Sequence, residues 1–233
     1  MDKQISILQE FIDTSKYTIV ITGAGISMST GIMDMQNMNV PEVMQITSTI
    51  VLKTFPNHYY KLLEKFFLKS MFINGPSLTH KKLADFEKRG LVQGIITTNI
   101  DCLHSLAGSQ NVAEIQGSFG VNKCLKCELR YDDVHIWNQG KTPRCQMCEG
   151  VIASFPVYSR FGILNKEFQQ ASQWMARAEL VIVAGSKGYY GDYFDYVNPE
   201  AKVIQINPQS TAFDSMANYN IRKKADEVFR LLE

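Results

Sequence analysis

The stretch YTIVITGAGIS, residues 17–27, holds the clearest indication of the fold. Its apolar part, Tyr17 to Ile21, ends abruptly at Thr22-Gly23-Ala24-Gly25, which predicts a buried strand that runs into a glycine turn. Glycine lets a backbone approach a diphosphate closely, and the amides that follow can point at it from a helix amino terminus. The next glycine is Gly31, so the spacing differs from the G-x-G-x-x-G of dehydrogenases. Taken alone, the turn predicts a nucleotide site only weakly.

Three further apolar runs have the same form, a strand followed by polar residues. They are Leu91 to Thr97, Leu180 to Ala184, which precedes Gly185-Ser186, and Val203 to Ile206, which precedes Asn207-Pro208. Continuous apolar runs separated by helical segments are typical of parallel strands that are buried on both faces. We therefore predict an α/β fold with a Rossmann-like, doubly wound parallel sheet. Ligands of such sheets bind at the carboxyl ends of the strands, where these polar residues fall.

Four cysteines form two pairs in the middle of the chain, Cys124 with Cys127 and Cys145 with Cys148. Two residues lie within each pair and seventeen between the pairs, which matches the spacing of tetrahedral zinc sites. Four thiolates leave no position for water, so we predict a structural zinc ion rather than a catalytic one. The fifth cysteine, Cys102, stands apart, and we interpret it as a small buried hydrophobic residue.

The composition of the 233 residues is that of a globular protein, with 45% hydrophobic and 20% charged residues. A formal net charge of +1 gives no indication of a nucleic-acid partner, which usually meets a markedly basic face. The residues from Met1 to Glu10 lack the apolar run of a secretory signal, and no stretch is apolar over the ~18 residues of a membrane span. We expect a cytoplasmic protein that acts neither on nucleic acid nor at a membrane.

Two regions depart from the alternation of strands and helices. Residues 33–75 hold a methionine-rich loop, Met33 to Met44, and an aromatic-rich helix, Tyr59 to Phe72, while residues 119–155 hold the cysteines and few apolar runs. We assign both regions to a small lobe packed beside the sheet, and we assign the aromatic helix to a core rather than to a cofactor site. The large lobe then comprises residues 1–32, 76–118 and 156–233.

Short motifs follow one another along nearly the whole chain. They are Gly23-Ala24-Gly25-Ile26-Ser27, Gly31-Ile32-Met33-Asp34, Pro76 to His80, Thr98-Asn99-Ile100-Asp101, Leu103-His104, Glu114-Ile115-Gln116-Gly117-Ser118, the cysteine quartet, Phe161-Gly162, Gly185-Ser186, Ile206-Asn207 and Ala225-Asp226-Glu227-Val228. Their identity and order resemble the sirtuins, a family of NAD-consuming deacylases and ADP-ribosyltransferases. By this resemblance, residues 1–233 form a single sirtuin-type catalytic domain.

The resemblance implies a Rossmann-like lobe, a small lobe with a helical insert and a zinc ribbon, and NAD in the cleft between them. NAD is then a co-substrate, and zinc is a structural ion. The residues that the resemblance places near NAD are Gly23, Ala24, Gly25, Ser27, Asp34, Asn99, Ile100, Asp101, Gln116, Gly185, Ser186, Asn207 and Ala225. The last four belong to the adenosine end, and for them ordinary turn formation stays an alternative.

An amide and a carboxylate, Asn99 and Asp101, follow the predicted strand that ends at Thr97. Such a pair can hydrogen-bond a ribose, or grip the nicotinamide carboxamide and favour its departure. Isolated residues of these types after a strand usually form turns, but their place in the motif series favours a functional role. His104 belongs to the same segment and is interpreted as structural, and His80 as a residue that packs or caps at the start of a helix.

The decisive departure from the family is Gln116, which stands where deacylase sirtuins carry a histidine general base. In their reaction the acyl oxygen attacks C1′ of the nicotinamide ribose, and the base then activates a ribose hydroxyl against the resulting imidate. Glutamine donates and accepts hydrogen bonds but takes up no proton near neutral pH. Loss of a general base costs about 10²–10⁴-fold in rate. We therefore expect efficient deacylation to be lost while transfer of ADP-ribose survives.

Two further departures concern the cofactor loop and the substrate-side segment. Met35-Gln36 stands where the family has Phe-Arg, an aromatic ring that shields the reactive ribose and a cation that helps to position phosphate. Phe155 and Ile163 replace the usual Arg and Glu of the substrate-side segment. We expect recognition of an acyl-lysine peptide by strand addition to be altered.

Together these departures resemble one branch of the family, the macrodomain-linked sirtuins of bacteria and fungi, which act as protein ADP-ribosyltransferases. That resemblance implies a lipoylated carrier related to the glycine-cleavage H protein as the target, and a macrodomain hydrolase partner that reverses the modification. We predict an NAD-dependent protein ADP-ribosyltransferase in which Asn99, Asp101 and Gln116 organise the nicotinamide ribose. The alternatives are a catalytically impaired module that senses NAD or ADP-ribose, and a residual deacylase or NAD glycohydrolase.

Overall fold

The computed structural model describes residues 3–33, 35, 38–188 and 192–233. The strands of these residues are β1 Thr18–Thr22, β2 Gly94–Thr97, β3 Val112–Glu114, β4 Asn122–Cys124, β5 Arg130–Tyr131, β6 Ile152–Ser154, β7 Leu180–Ala184, β8 Lys202–Ile206 and β9 Tyr219–Ile221. Their α-helices are α1 Lys3–Thr14, α2 Val40–Ile46, α3 Thr49–Thr54, α4 Pro56–Leu63, α5 Leu78–Lys88, α6 Leu103–Ala107, α7 Phe155–Tyr158, α8 Asn165–Arg177 and α9 Ala225–Phe229. Two π-helical segments, Glu64–Leu68 and Ser70–Asn74, continue α4. Within these ranges, every helix is too short or too polar to span a bilayer.

Six parallel strands form the large sheet, in the order β3-β2-β1-β7-β8-β9. The central strand β1 pairs with β2 and β7, and Thr22 at its end lies opposite Thr97 of β2. All residues of β1 are buried because the sheet is covered on both faces. Val20 packs with the apolar residues of α1, α5 and α9, while Ile19 and Ile21 pack with those of α8. The predicted Rossmann-like, doubly wound α/β fold is confirmed.

The four apolar runs of the sequence correspond to β1, β2, β7 and β8. The two outer strands, β3 and β9, have three residues each and only one fully buried residue apiece, Ala113 and Ile221. Strands so short leave no apolar run, which is why the sequence pattern does not reveal them. Both sit at the sheet edges, where a strand needs fewer buried side chains.

A second core surrounds the small antiparallel sheet, whose order is β5-β4-β6. Trp137 is fully buried there, and its Nε1 donates to Asn122 Oδ1 at 2.9 Å. The Phe119 ring lies 5.8 Å from the Trp137 ring and 5.5 Å from the Phe67 ring. Tyr59 is fully buried as well, so the assignment of the aromatic helix to a core is confirmed. We propose on this basis that residues 33–75 and 119–155 form the small lobe.

Helix α2 occupies part of the segment Met33 to Met44, in which the sequence predicts a methionine-rich loop, so that prediction is wrong from Val40 onward. Helix α2 begins at Val40, and the Asn39 side chain caps it by accepting a hydrogen bond from the Glu42 amide at 2.9 Å. Pro41 occupies the first turn, where a missing N–H costs nothing. The cap and the proline are local features of the sequence, and they explain why the helix begins at Val40.

Candidate active site and metal centre

A cleft of about 1000 Å³ opens along the carboxyl ends of β1, β2, β7 and β8. Twelve of the thirteen residues predicted to lie near NAD line this cleft: Gly23, Ala24, Gly25, Ser27, Asn99, Ile100, Asp101, Gln116, Gly185, Ser186, Asn207 and Ala225. The thirteenth, Asp34, lies outside the described residues. The fold thus brings residues from distant parts of the sequence to one edge of the sheet, and their individual roles stay predictions.

The glycine turn after β1 packs directly on the loop after β7. A Cβ atom on Gly23 would lie 2.7 Å from Ser186 Cα, and one on Gly25 would lie 2.8 Å from Gly185 Cα. The Gly25 amide donates to Gly185 O at 2.9 Å, and the Ile26 amide donates back to Gly23 O at 3.2 Å. These two amides are therefore not the diphosphate donors that the glycine spacing suggested. The glycines are required first for the close approach of two backbones.

Asn99 and Asp101 are tied to the glycine turn through Ser27. Asn99 Nδ2 donates to Gly23 O and to Ser27 Oγ, both at 3.1 Å. Ser27 Oγ donates to Asp101 Oδ2 at 2.7 Å, and the Leu103 amide donates to Asp101 Oδ1 at 3.0 Å. Both amide hydrogens of Asn99 are thus occupied, so its Oδ1 is the atom that it can offer to a ligand. The network fixes the amide and the carboxylate relative to each other before any ligand binds.

Gln116 follows the edge strand β3, and its side chain lines the cleft with 7% of its surface exposed. It makes no hydrogen bond with the residues that the structure describes. The next residue, Gly117, has a φ of 61°, and a Cβ atom there would lie 2.4 Å from the Phe155 ring. The Phe155 ring therefore packs on the backbone that follows Gln116. The Leu164 amide donates to Ile115 O at 2.8 Å, which brings the substrate-side segment with Ile163 alongside Gln116.

No histidine lines the cleft among the described residues. The titratable side chains that do so are Asp101, Lys187, Lys224, Asp226 and Glu227. All but Asp101 follow β7 or β9, on the side of the sheet away from β2 and β3. Among the described residues that line the cleft, Asp101 is thus the titratable one on the side of β2 and β3, and both of its oxygens already accept hydrogen bonds.

Asp226, at the start of α9, joins three segments around the cleft. Its Oδ1 accepts from the Thr79 amide at 2.9 Å and from Thr79 Oγ1 at 2.5 Å, and its Oδ2 accepts from Ser29 Oγ at 2.7 Å. Burial alone would raise the pKa of the Asp226 carboxyl, but the hydrogen bonds from Thr79 and Ser29 outweigh burial and lower the pKa. The ionised carboxylate therefore holds the segment after the glycine turn to α5 and α9.

The two buried histidines are structural, as interpreted from the sequence. The rings of His80 and His104 lie 4.6 Å apart, and His104 Nε2 shares a hydrogen bond of 2.8 Å with Thr22 Oγ1. His80 completes a capping box with Ser77 at the start of α5. Burial lowers the pKa of both imidazoles, so they stay neutral near pH 7. Neither of them lines the cleft, and Cys102, at 5% exposure, is buried as predicted.

Several cleft residues were missed from the sequence. Lys187 directly follows Gly185-Ser186, so the rule that ligands bind where strands end could have found it. Phe67 belongs to the aromatic helix and also reaches the cleft, and no sequence signal separates it from its buried neighbours. Asp226 lies in a quoted motif, but its partner Thr79 is 147 residues away in the sequence.

The four paired cysteines converge in the small sheet region. Their Sγ atoms all lie within 4.8 Å of one another, and the Cys124–Cys148 and Cys127–Cys145 pairs are each 3.5 Å apart. A tetrahedral zinc ion with Zn–S bonds near 2.3 Å separates its ligands by about 3.8 Å. A Cβ atom on Gly150 would lie 2.7 Å from Cys124 Sγ, so only glycine fits against the cluster. The donor set and its spacing fit a structural zinc ion.

Known proteins and one known family resemble this chain over most of its length. The model of the Sir2 family matches residues 23–189. An NAD-dependent protein deacetylase of Caldanaerobacter subterraneus is 33% identical in sequence, and the match covers 95% of this chain and 91% of the relative. An NAD-dependent protein deacetylase of Clostridium perfringens is 30% identical, and the match covers 98% of this chain and 98% of the relative. A solved structure of Sir2 with a p53 peptide and NAD+ is 26% identical and superposes with a TM-score of 0.78, over 97% of this chain and 95% of that one. With the sheet order, the cleft and the cysteine cluster, these similarities show that the chain belongs to the Sir2 (sirtuin) family.

Proposed function

We propose that the chain is an NAD-dependent protein ADP-ribosyltransferase. NAD is the co-substrate of the family, and it supplies an ADP-ribosyl group whose bond to nicotinamide breaks at C1′. The observation that carries the proposal is Gln116. By the family resemblance it stands at the position of the deacylase general base; it is buried against the cleft, and no histidine replaces it among the described lining residues.

The retained residues suit the departure of nicotinamide. Asp101 presents a carboxylate that Ser27 and the Leu103 amide hold in place, and such a fixed charge stabilises positive charge that develops on a nearby sugar. Asn99 offers an acceptor oxygen of fixed orientation, suited to a ribose hydroxyl or to the carboxamide N–H of nicotinamide. These groups need no proton transfer, so their contribution does not depend on a base at position 116.

Gln116 alters the step that follows nicotinamide departure. Its amide can hydrogen-bond a ribose hydroxyl but cannot remove the proton. Deacylation needs that removal and should be slower by about 10²–10⁴-fold, which corresponds to roughly 3–5 kcal/mol of barrier. A protein side chain that reaches C1′ directly bypasses the step, because the new bond forms at C1′ itself and the acceptor gives up its own proton.

A protein acceptor is supported by the peptide in the related Sir2 structure. On this chain the substrate-side segment carries Phe155 and Ile163, the first packed on Gly117 and the second 48% exposed beside the cleft. An apolar mouth favours an acceptor that offers apolar surface around its nucleophile. A lipoylated carrier of the glycine-cleavage H type has that character, and it enters here with the macrodomain partner through the family resemblance alone.

The test uses NAD labelled in its adenosine part, the purified chain and a lipoylated H-type carrier. We expect the carrier to gain the mass of one ADP-ribose unit, with nicotinamide released in equal amount. An Asn99→Ala variant removes the fixed acceptor while leaving the zinc region untouched, and it should label the carrier at least tenfold more slowly. An unlabelled carrier, with NAD binding intact, would count against the proposal and favour a module that senses NAD or ADP-ribose.

A residual deacylase is the second candidate, and the names of the relatives favour it, since both relatives described above are deacetylases. A Gln116→His variant addresses it. If the loss of the base is what blocks deacylation, the variant should gain activity on an acetyl-lysine peptide by about 10²–10⁴-fold. A wild-type chain that already deacylates as fast as this variant would make the deacylase reading correct.

A further inference from the structure

The loop that follows β8 forms an outer part of the cleft wall. Its residues Asn207, Pro208 and Gln209 line the cleft. Asn207 is buried, and its Nδ2 donates to Ser186 O at 3.1 Å. Pro208 and Gln209 are exposed, so hydrogen bonds rather than packing must hold this end of the loop in place.

Arg222, which directly follows β9, holds the exposed end of this loop. Its Nη1 donates to Gln209 O at 3.1 Å, and its Nη2 donates to Asp214 Oδ2 at 2.6 Å. The guanidinium therefore bridges the cleft loop and a carboxylate with two donors of fixed relative geometry. Arg222 does not line the cleft itself, so its effect on a ligand passes through Gln209.

The carboxylate of Asp214 is itself anchored to the large sheet. Gln205 is fully buried in β8, and its Nε2 donates to Asp214 Oδ1 at 2.6 Å and to Asn220 Oδ1 at 2.5 Å. The Thr211 amide donates to the same Asp214 oxygen at 3.0 Å. The hydrogen bonds from Gln205, Thr211 and Arg222 lower the pKa of the Asp214 carboxyl, so it is ionised near pH 7. Arg222 is thus paired with an anion whose position a sheet strand fixes.

The sheet order relates this loop to the two ends of NAD. The proposed function places the nicotinamide ribose at Asn99 and Gln116, which follow β2 and β3. The loops after β7 and β8 lie on the other side of β1. A dinucleotide binds across the point where the strand order reverses, so the adenosine half of NAD faces the loop that holds Gln209.

We propose that Arg222 is a positioning residue for the adenosine half of NAD. By holding Gln209 O, it keeps the loop after β8 in the conformation to which NAD binds. Without this bridge, the binding conformation is populated for only part of the time, and the apparent affinity falls by the same fraction. The inference rests on the orientation of NAD in the proposed function but not on ADP-ribosyl transfer. A chain whose NAD binding depends on Arg222 but that labels no carrier would count against the proposed function alone.

Calorimetric titration of wild type, Arg222→Met and Arg222→Lys with NAD, AMP and nicotinamide mononucleotide tests the proposal. AMP and nicotinamide mononucleotide each carry one phosphate, so a general charge effect would weaken the binding of both. We expect Arg222→Met to weaken NAD and AMP binding by about 5- to 20-fold. Binding of nicotinamide mononucleotide should stay within about twofold of wild type.

Arg222→Lys separates geometry from charge. It should weaken AMP binding about as much as Arg222→Met does, because lysine keeps a cation beside Asp214 but lacks the planar fork that reaches Gln209 O at the same time. Arg89→Met is the matched control. Arg89 forms an exposed ion pair with Asp85 at the end of α5, outside the cleft, so its replacement should change none of the three affinities.

Three results would overturn the proposal. The first is AMP binding by Arg222→Met within about twofold of wild type. The second is equal weakening of AMP and nicotinamide mononucleotide, since that would assign the effect to charge or to a general loss of structure. The third is full recovery of AMP binding in Arg222→Lys, since a cation alone would then suffice. If Arg222→Met lowers the melting temperature, Arg222→Lys decides, because it keeps a cation beside Asp214.

Discussion

Ser27 is the residue on which the preorganised site depends, and its replacement by alanine gives the sharpest stability prediction. The side chain is fully buried, its Oγ donates to Asp101 Oδ2 at 2.7 Å, and it accepts from Asn99 Nδ2 at 3.1 Å. A hydrogen bond to a charged group contributes about 1.5–3 kcal/mol and a neutral one about 1 kcal/mol. Ser27→Ala removes one of each and leaves a buried carboxylate oxygen without its donor, so we expect the free energy of unfolding to fall by about 2.5–4 kcal/mol.

For a chain of 233 residues, each kcal/mol lowers the melting temperature by about 2–4 °C, so the expected decrease is roughly 5–15 °C. Urea unfolding and calorimetry at neutral pH measure the change. Ser29→Ala is the matched control. The Ser29 hydroxyl also donates to a carboxylate, that of Asp226, but Ser29 is exposed, so water can replace the donor, and Asp226 keeps both donors from Thr79; we expect a loss of about 0.5 kcal/mol. If Ser27→Ala were no less stable than Ser29→Ala, the network would not hold the site together and the reasoning would be refuted.

Three other predictions concern the zinc site and two buried titratable regions. Cys124→Ala should lower the zinc content and the melting temperature of the chain, because structural zinc supplies about 10–16 kcal/mol of binding free energy that is coupled to folding. Cys102→Ala, outside the cluster, is the control and should keep its zinc. Metal analysis and calorimetry measure both variants, and full zinc content in Cys124→Ala would contradict the assignment. Burial raises the pKa of Glu114 to about 7, so ionising this side chain lowers the free energy of unfolding of the wild type. Glu114→Gln removes that effect, and its stability relative to wild type should increase as the pH rises from about 5 to about 8. A difference in urea midpoint that stays constant over this range would contradict the prediction. Burial lowers the pKa of His80 and His104, so the stability that depends on their neutral forms is present above about pH 6.5 and is lost as the pH falls below it. In His104→Gln the free energy of unfolding should therefore fall less steeply below about pH 6.5 than in wild type. An equally steep fall would show that His104 is not its cause.

The sheet and the zinc site could be predicted because their signals are local. The apolar run before Gly23 and the spacing of the cysteines are read from a few neighbouring residues, and the structure confirms the strands and the convergence of the four thiols. The short edge strands could not be predicted, since β3 buries only Ala113 fully. The start of α2 at Val40 could have been predicted from the capping Asn39 and from Pro41 in the first turn. A loop was predicted there instead because the segment is rich in methionine.

The residues of the cleft could be predicted better than their interactions. The motif series placed Ser27 and Asp101 in one site, but the hydrogen bond between them joins residues 74 positions apart and has no sequence signature. Nor could the sequence indicate that the Gly25 amide donates a hydrogen bond to Gly185 O. Because of that bond, the Gly25 amide is not a donor to the diphosphate, as the glycine spacing had suggested. Such contacts depend on how loops of neighbouring strands meet, and only the three-dimensional arrangement supplies that.

The central claim is that a sirtuin site without its general base passes ADP-ribose to a protein instead of removing acyl groups. The most direct measurement is the rate of nicotinamide release by the wild-type chain with NAD alone, with an acetyl-lysine peptide, and with a lipoylated H-type carrier. Gln116 predicts that the carrier accelerates release and is labelled, and that the peptide is not deacetylated. Release driven by the peptide, with one deacetylated peptide per nicotinamide and no labelled carrier, would contradict the claim.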